Sequence, residues 1–156
     1  LRSDEARLEK VIERCAKIKS AVVEADEYDK NGVRIILNFG HTAGHAIETA
    51  SAYSRAYTHG EAVGIGMLAA CDISRELGVL KDPDLTRRLE KVLLKFNLPV
   101  YHKGLSTENL VKAIAYDKKA VQKKNRFVLP VRMGKVLVVS DVPSAVIKAA
   151  LEKRKG

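Results

Sequence analysis

The sequence predicts a mostly α-helical domain carrying one small β-hairpin near its C-terminus. Three observations carry that expectation. Apolar residues recur at helical spacing in several segments, helix start and stop signals bracket those segments, and a pair of β-rich runs joined by a tight turn occurs late in the chain. At 156 residues the chain fits one domain, 1–156, long enough to bury a core.

Leu8, Val11, Ile12, Cys15, Ile18 and Val22 repeat with helical period, so a first helix is expected from about Asp4 to Glu24. The polar run Asp26 to Gly32 ends in Asn-Gly, a turn signal. A second helix is expected from Arg34 to about Ala52. It contains Gly40 and Gly44, each of which weakens a helix by roughly 1 kcal/mol relative to Ala. Glycines at that spacing predict a close approach of backbone to a neighbour or ligand. Thr58-His59-Gly60-Glu61 matches a capping box that opens a third helix running to Leu77 and stopping at Gly78. Its small residues Ala62, Gly64, Gly66, Ala69 and Ala70 suit tight packing on another helix. Asp82-Pro83 predicts the N-cap and first position of a fourth helix ending near Phe96. Ser106 caps a fifth that includes Leu110, Val111 and Ile114. Residues 126–131 and 136–139 form the hairpin around Arg132-Met133-Gly134-Lys135, and Pro143 begins a last helix through about Lys153. With no alternation of strand and helix, no dinucleotide-binding crossover is encoded, and Gly64-Ile65-Gly66 lies inside a helix.

A content of 46% hydrophobic and 30% charged residues reads as soluble and globular. No run approaches 18 apolar residues and the start has no signal-peptide layout, so a cytoplasmic location is expected. The first residue is Leu, which points to a segment of a longer protein. Cys15 and Cys71 fall at apolar helix positions and are expected to be free, buried thiols. Any metal ligation is therefore by His and carboxylate. The net charge of +9 admits nucleic acid, an acidic surface or a small polyanion as partner. Basic residues gather at Lys118, Lys119, Lys123, Lys124 and Arg126, and in the tail at Lys148, Lys153, Arg154 and Lys155. Few aromatics lie nearby, so bases would find little to stack on. The tail reads as a solvated face.

Three of the four histidines, His41, His45 and His59, fall within 19 residues. His41 and His45 stand four apart, on one face of a helix, and His59 opens the next helix. Neutral imidazole is the commonest protein ligand for zinc, and two or three imidazoles with a carboxylate form an open catalytic site. The pair is no zincin motif, because Thr42 follows the first His. Of the nearby carboxylates, Glu61 is explained by the capping box. Glu48 suits a partner to a metal-bound His or a plain surface charge. Arg34, Asn38, His41 and His45, spaced 4, 3 and 4, are expected to form one stripe walling a polar cleft. Lys19 alone reads as a surface lysine. Asp117-Lys118-Lys119 reads either as cations at a helix C-terminus or as part of an anion site.

These segments resemble the 3-dehydroquinate synthases of the shikimate pathway. The resemblance is carried by Lys19 to Glu27, Gly32-Val33-Arg34, Leu37 to Glu48 with its Gly-His-Thr-Ala-Gly-His run, and His59 to Val63. It continues through Leu98-Pro99, Asp117-Lys118-Lys119 and Arg126 to Pro130. It is to the family's C-terminal helical domain, and it implies an enzyme using a divalent metal, zinc or cobalt, and transient NAD oxidation. The implied reaction converts 3-deoxy-D-arabino-heptulosonate 7-phosphate to 3-dehydroquinate and phosphate through oxidation, phosphate elimination, reduction, ring opening and aldol closure. By resemblance His41 and His59 ligate metal. His45, Lys19, Arg34 and Asn38 bind and work on the substrate, and one or both of Lys118 and Lys119 complete its anion site. The family's third ligand, a Glu in a segment resembling Ala-Glu-Val-Ile-Lys, has no counterpart here, and neither has its N-terminal NAD domain. The chain alone is therefore expected to bind metal weakly and to catalyse nothing. One-residue length differences in the Asp26–Gly32 loop and between His45 and His59 look like tolerated loop changes. The implied partners are an anionic sugar phosphate and the missing NAD domain, with a homodimer left open and no role for nucleic acid or membrane. A related sugar-phosphate cyclase of the 2-deoxy-scyllo-inosose synthase type is the nearest alternative, and a non-catalytic basic helical binding module is the one from another class.

Overall fold

The computed structural model describes residues 2–28, 30, 32–51, 56–120 and 125–156, the side chains of 2–4 and 117–120 excepted. Among these residues six α-helices and one antiparallel hairpin follow in the order α1 (Arg2–Ala25), a short 3-10 helix (Arg34–Asn38), α2 (His41–Ser51), α3 (His59–Glu76), α4 (Leu85–Lys95), α5 (Thr107–Ala120), β1 (Arg126–Arg132), β2 (Lys135–Ser140) and α6 (Ser144–Lys153). This is the mostly α architecture that the periodicity predicts. The chain divides into two compact units, Leu1–Leu37 and Asn38–Gly156.

In the first unit, α1 leaves its apolar stripe exposed at Leu8, Val11, Ile12 and Ile18. Cys15 lies exposed with them, contrary to the expectation of a buried thiol. Beyond the helix, buried Asp26 organises the turn by accepting from the backbone N–H of Lys30 and Val33, both at 2.9 Å.

The expected second helix is broken. Residues 34–38 form the 3-10 helix, and α2 starts at His41 after Gly40, whose φ of +84° is the left-handed conformation a glycine tolerates. Tertiary packing imposes the break. A Cβ on Gly40 would stand 2.5 Å from Met67 Cγ and 2.8 Å from the Val63 carbonyl oxygen, and one on Gly66 would stand 2.1 Å from the Gly40 carbonyl oxygen. A Cβ on Gly44 would stand 3.1 Å from Val63 Cα, a tight but less severe approach. Since Gly40 meets Val63 to Met67 while Glu48, further along, meets His59, α2 and α3 run antiparallel. The spacing of glycines and small residues thus does what the sequence predicts, a close helix crossing. The single stripe from Arg34 to His45 does not exist, because it needed one uninterrupted helix.

Thr58 and Glu61 form the full capping box at the start of α3, and Gly78, with φ +66°, ends it. The fourth helix begins later than Asp82-Pro83 predicts. Asp82 Oδ1 instead accepts from the Asp84 N–H at 3.1 Å, a local turn that competes with helix, and α4 starts at Leu85. Around α3 the core gathers Ala43, Ile47, Ile65, Ala69, Ile73, Leu110, Ile114, Ile147 and Leu151, closed on one side by Phe127 and Leu129 of β1. Their strand pairs with β2 through Phe127↔Val139 and Leu129↔Leu137, and Ser74 of α3 donates to the Pro130 carbonyl at 2.6 Å. Cys71 is buried here as expected, and burial pushes its thiol up to about 12. No helix among the described residues is long and apolar enough to cross a membrane.

Candidate functional site

The antiparallel crossing of α2 and α3 sets the start of α3 beside one face of α2. His41, His45 and Glu48 share that face at positions i, i+4 and i+7. His59 is the first residue of α3, fixed in place by the Thr58–Glu61 cap. The ring centroids lie 5.5 Å apart for His41 and His45, 5.3 Å for His41 and His59, and 6.1 Å for His45 and His59. Two imidazoles one turn apart on α2 and a third brought in by the helix crossing therefore form one small triangle.

Hydrogen bonding sorts the rings. His41 Nδ1 stands 3.3 Å from the Phe39 carbonyl oxygen, and a carbonyl can only accept, so this nitrogen carries the proton and Nε2 keeps its lone pair. His59 Nδ1 donates to Glu48 Oε1 at 2.9 Å, which leaves Nε2 of that ring as the free donor of electrons. His45 makes no hydrogen bond among the described residues. It lines instead a groove of about 550 Å³ with Thr42, Ala46 and Thr49 of α2 and Lys112, Ala113, Ile114 and Tyr116 of α5.

Nitrogen donors with one nearby carboxylate are the donor set for zinc and cobalt rather than for calcium or magnesium, so the residues present fit a divalent transition metal. One ligand atom each from His45, Glu48 and His59 falls within 4.8 Å of the other two. Glu61 is excluded from this set by its cap. It accepts from the Thr58 N–H at 2.7 Å and the Thr58 hydroxyl at 2.8 Å, and these bonds, the backbone one foremost, hold its carboxyl below the usual carboxylate range.

Of the residues singled out in the sequence, the structure brings together His41, His45 and His59. Asn38 is exposed at the end of the 3-10 helix. Lys19, exposed on α1, and Arg34, whose guanidinium donates to the Glu27 carbonyl at 3.1 Å, belong to the first unit. The side chains of Lys118 and Lys119 lie outside the described residues, as do Lys123 and Lys124. Sequence reasoning offered Glu48 as a partner to a metal-bound His or a surface charge without pointing to His59, and it missed the groove residues Thr49, Lys112 and Tyr116. The i, i+4 spacing of Lys112 and Tyr116 signals a shared helix face, and nothing local signals that α2 faces it. The basic tail is no free cationic face. Lys148 pairs with Glu108 at 2.9 Å, Lys155 with Glu152 at 3.5 Å, Lys153 with Asp72 at 3.8 Å, and Arg154 is buried against Asp72 at 2.6 Å.

The family model described as 3-dehydroquinate synthase C-terminal matches residues 1–120. A 3-dehydroquinate synthase of Desulforamulus reducens is 42% identical over 154 residues, 98% of this chain and 42% of that protein. One of Wolinella succinogenes is 40% identical over 149 residues, 96% of this chain and 42% of that protein. The chain thus spans about two fifths of the length of these relatives. Among solved structures, a 2-epi-5-epi-valiolone synthase of Streptomyces hygroscopicus with NAD+ and Zn2+ bound is similar at TM-score 0.78 and 26% identity, over 92% of this chain and 39% of that one. A 2-deoxy-scyllo-inosose synthase complexed with carbaglucose-6-phosphate, NAD+ and Co2+ is similar at TM-score 0.76 and 25% identity, over 96% of this chain and 41% of that one.

Proposed function

The chain belongs to the 3-dehydroquinate synthase C-terminal family, and from that premise we propose that it is the metal- and substrate-binding part of a 3-dehydroquinate synthase. The substrate is 3-deoxy-D-arabino-heptulosonate 7-phosphate and the products are 3-dehydroquinate and phosphate. The observation that supports the reading is the triangle of His41, His45 and His59, in two of which Nδ1 is engaged and Nε2 is left with its lone pair.

His41 and His59 hold the metal. When bound, a divalent zinc or cobalt ion supplies Lewis acidity toward the vicinal hydroxyls of the substrate, which favours loss of hydride to NAD. His45 faces the groove with neither ring nitrogen engaged by a described residue, so it can hydrogen-bond a substrate oxygen or accept a proton from it. Lys19, Arg34 and Asn38 bind the substrate, whose carboxylate and phosphate suit charge-assisted bonds from Arg and Lys, and one or both of Lys118 and Lys119 complete that anion site. The hairpin is the sheet found among the described residues and its strands are antiparallel, so NAD falls to another part of the longer protein. The third metal ligand, a Glu in the family, falls to that part as well. The reading places the enzyme in the cytoplasm.

The fold likeness to a 2-deoxy-scyllo-inosose synthase supports a second reading, a cyclase for a sugar phosphate without a carboxylate. The higher identity to 3-dehydroquinate synthases favours the first. Turnover assays on the full-length protein decide: phosphate release from the heptulosonate phosphate alone supports the first reading, and release from glucose 6-phosphate supports the second.

A further inference from the structure

His59 has little around it to hold its ring. Its side chain is 59% exposed, so packing does not select a rotamer or a tautomer. What does engage the ring is one hydrogen bond, from Nδ1 to Glu48 Oε1 at 2.9 Å. The two lone-pair directions of an imidazole diverge, so occupying Nδ1 leaves only Nε2 to meet a metal. Glu48 itself is well placed to be rigid. It lies on α2 one turn beyond His45, where the glycine-lined crossing with α3 fixes the distance between the two helices. The other carboxylate near the start of α3, Glu61, is tied to Thr58.

We infer that Glu48 is a positioning residue for metal binding: by accepting the His59 Nδ1 proton it fixes the tautomer and direction of that ring, and His59 meets the metal through Nε2. A carboxylate behind a ligating imidazole also raises the basicity of the ligating nitrogen, and loss of such a partner weakens metal binding about 10- to 100-fold. The inference rests on the assignment of His59 as a ligand. It goes further in separating Glu48 from the ligands themselves, although its oxygen lies close enough to His45 and His59 to suggest a direct bond.

The distinction is testable in the full-length protein, stripped of metal and titrated with Co2+ while the visible ligand-field bands are followed. Glu48→Ala removes the acceptor. Glu48→Gln keeps a neutral oxygen that can accept from Nδ1 but makes a poor metal ligand. The expected result is a 10- to 100-fold weaker Co2+ affinity for the Ala variant, a smaller loss for the Gln variant, which keeps the acceptor but not the charge, and the same band shape in both at saturation. Glu48→Ala with native affinity overturns the proposal and leaves the contact a surface ion pair. Glu48→Gln that loses as much as Ala, with altered bands, assigns Glu48 to the metal and equally overturns it. His59→Ala run in parallel tells the two levels apart. If it binds Co2+ as the native protein does, the ligand assignment has failed. If it loses Co2+ while Glu48→Ala does not, only the inference about Glu48 has.

Discussion

Two polar clusters in the second unit, the histidine corner of α2 and α3 and the clasp formed by the C-terminal residues, use similar side chains under opposite conditions. In the clasp, Arg154 and Asp72 are both buried and joined at 2.6 Å, with Glu90 a second partner of Arg154 at 3.3 Å and Arg75 and Lys153 around the other oxygen of Asp72. Buried His102 holds the last residues by its backbone, accepting from Gly156 at 2.9 Å and donating to Arg154 at 2.7 Å, while its Nε2 donates to the Leu151 carbonyl. Thr107 donates to Glu152 beside it. In the corner, by contrast, His45 and His59 are exposed and His41 is only partly buried, and two of the rings keep a lone pair free. Charge and imidazole alone mark neither structure nor function. What separates the two clusters is that the clasp's groups are buried against one another, while the corner leaves ring nitrogens open to the surface.

Breaking the clasp should cost the most stability and leave the site alone. Asp72→Ala leaves the buried Arg154 guanidinium with Glu90 at 3.3 Å and without its shorter partner, and losing one partner of a buried pair costs about 3–5 kcal/mol. Urea unfolding should show that loss, while Co2+ affinity of the folded protein stays native. Breaking the crossing should affect both regions' shared support. Gly66→Ala drives a methyl into the Gly40 carbonyl, and overpacking of this kind costs about 1–3 kcal/mol. Here Co2+ affinity should fall together with stability, since the crossing sets His59 beside α2.

These two clusters also show what a sequence makes legible. The Thr58–Glu61 box, the stop at Gly78, the hairpin turn and the extent of α1 are readable because each depends on neighbours a few residues away. Gly40 is different. Its role in breaking a helix comes from Val63, Gly66 and Met67, and no local pattern distinguishes a glycine inside a helix from one that ends it. Arg154 reads as one more tail cation because its partner, Asp72, is 82 positions away. For the same reason His41, His45 and His59 are legible as candidates, while Glu48, eleven residues from His59, becomes a partner only once the crossing is known. Cys15 misleads in the opposite sense, since helical periodicity reports an apolar stripe and not what covers it.

Smaller effects sharpen the comparison. Thr58→Ala should lower stability by about 1 kcal/mol through the lost cap, and weaken Co2+ binding slightly as the start of α3 frays around His59. The clasp should carry a pH dependence. Burial, its largest cause, pushes His102 below its ordinary value, while its bond to Leu151 and the charge of Glu152 act the other way, and among the described residues nothing would accept a second proton carried by its Nδ1. The unfolded chain therefore binds a proton near pH 6.5 that the folded protein binds only at lower pH. Stability contributed by neutral His102 is complete above about pH 6.5 and is lost as pH falls toward the folded value. Unfolding curves from pH 8 to 5 should show that decline in the metal-free protein, with a shallower slope for His102→Leu.

The most direct measurement is metal binding by the full-length protein with the two assigned ligands changed in turn. His41→Ala and His59→Ala should each fold as the native protein does, judged by circular dichroism and thermal unfolding, yet retain no zinc or cobalt after gel filtration and release no phosphate from the heptulosonate phosphate. Stoichiometric metal in either variant would contradict the account of this corner as the metal centre.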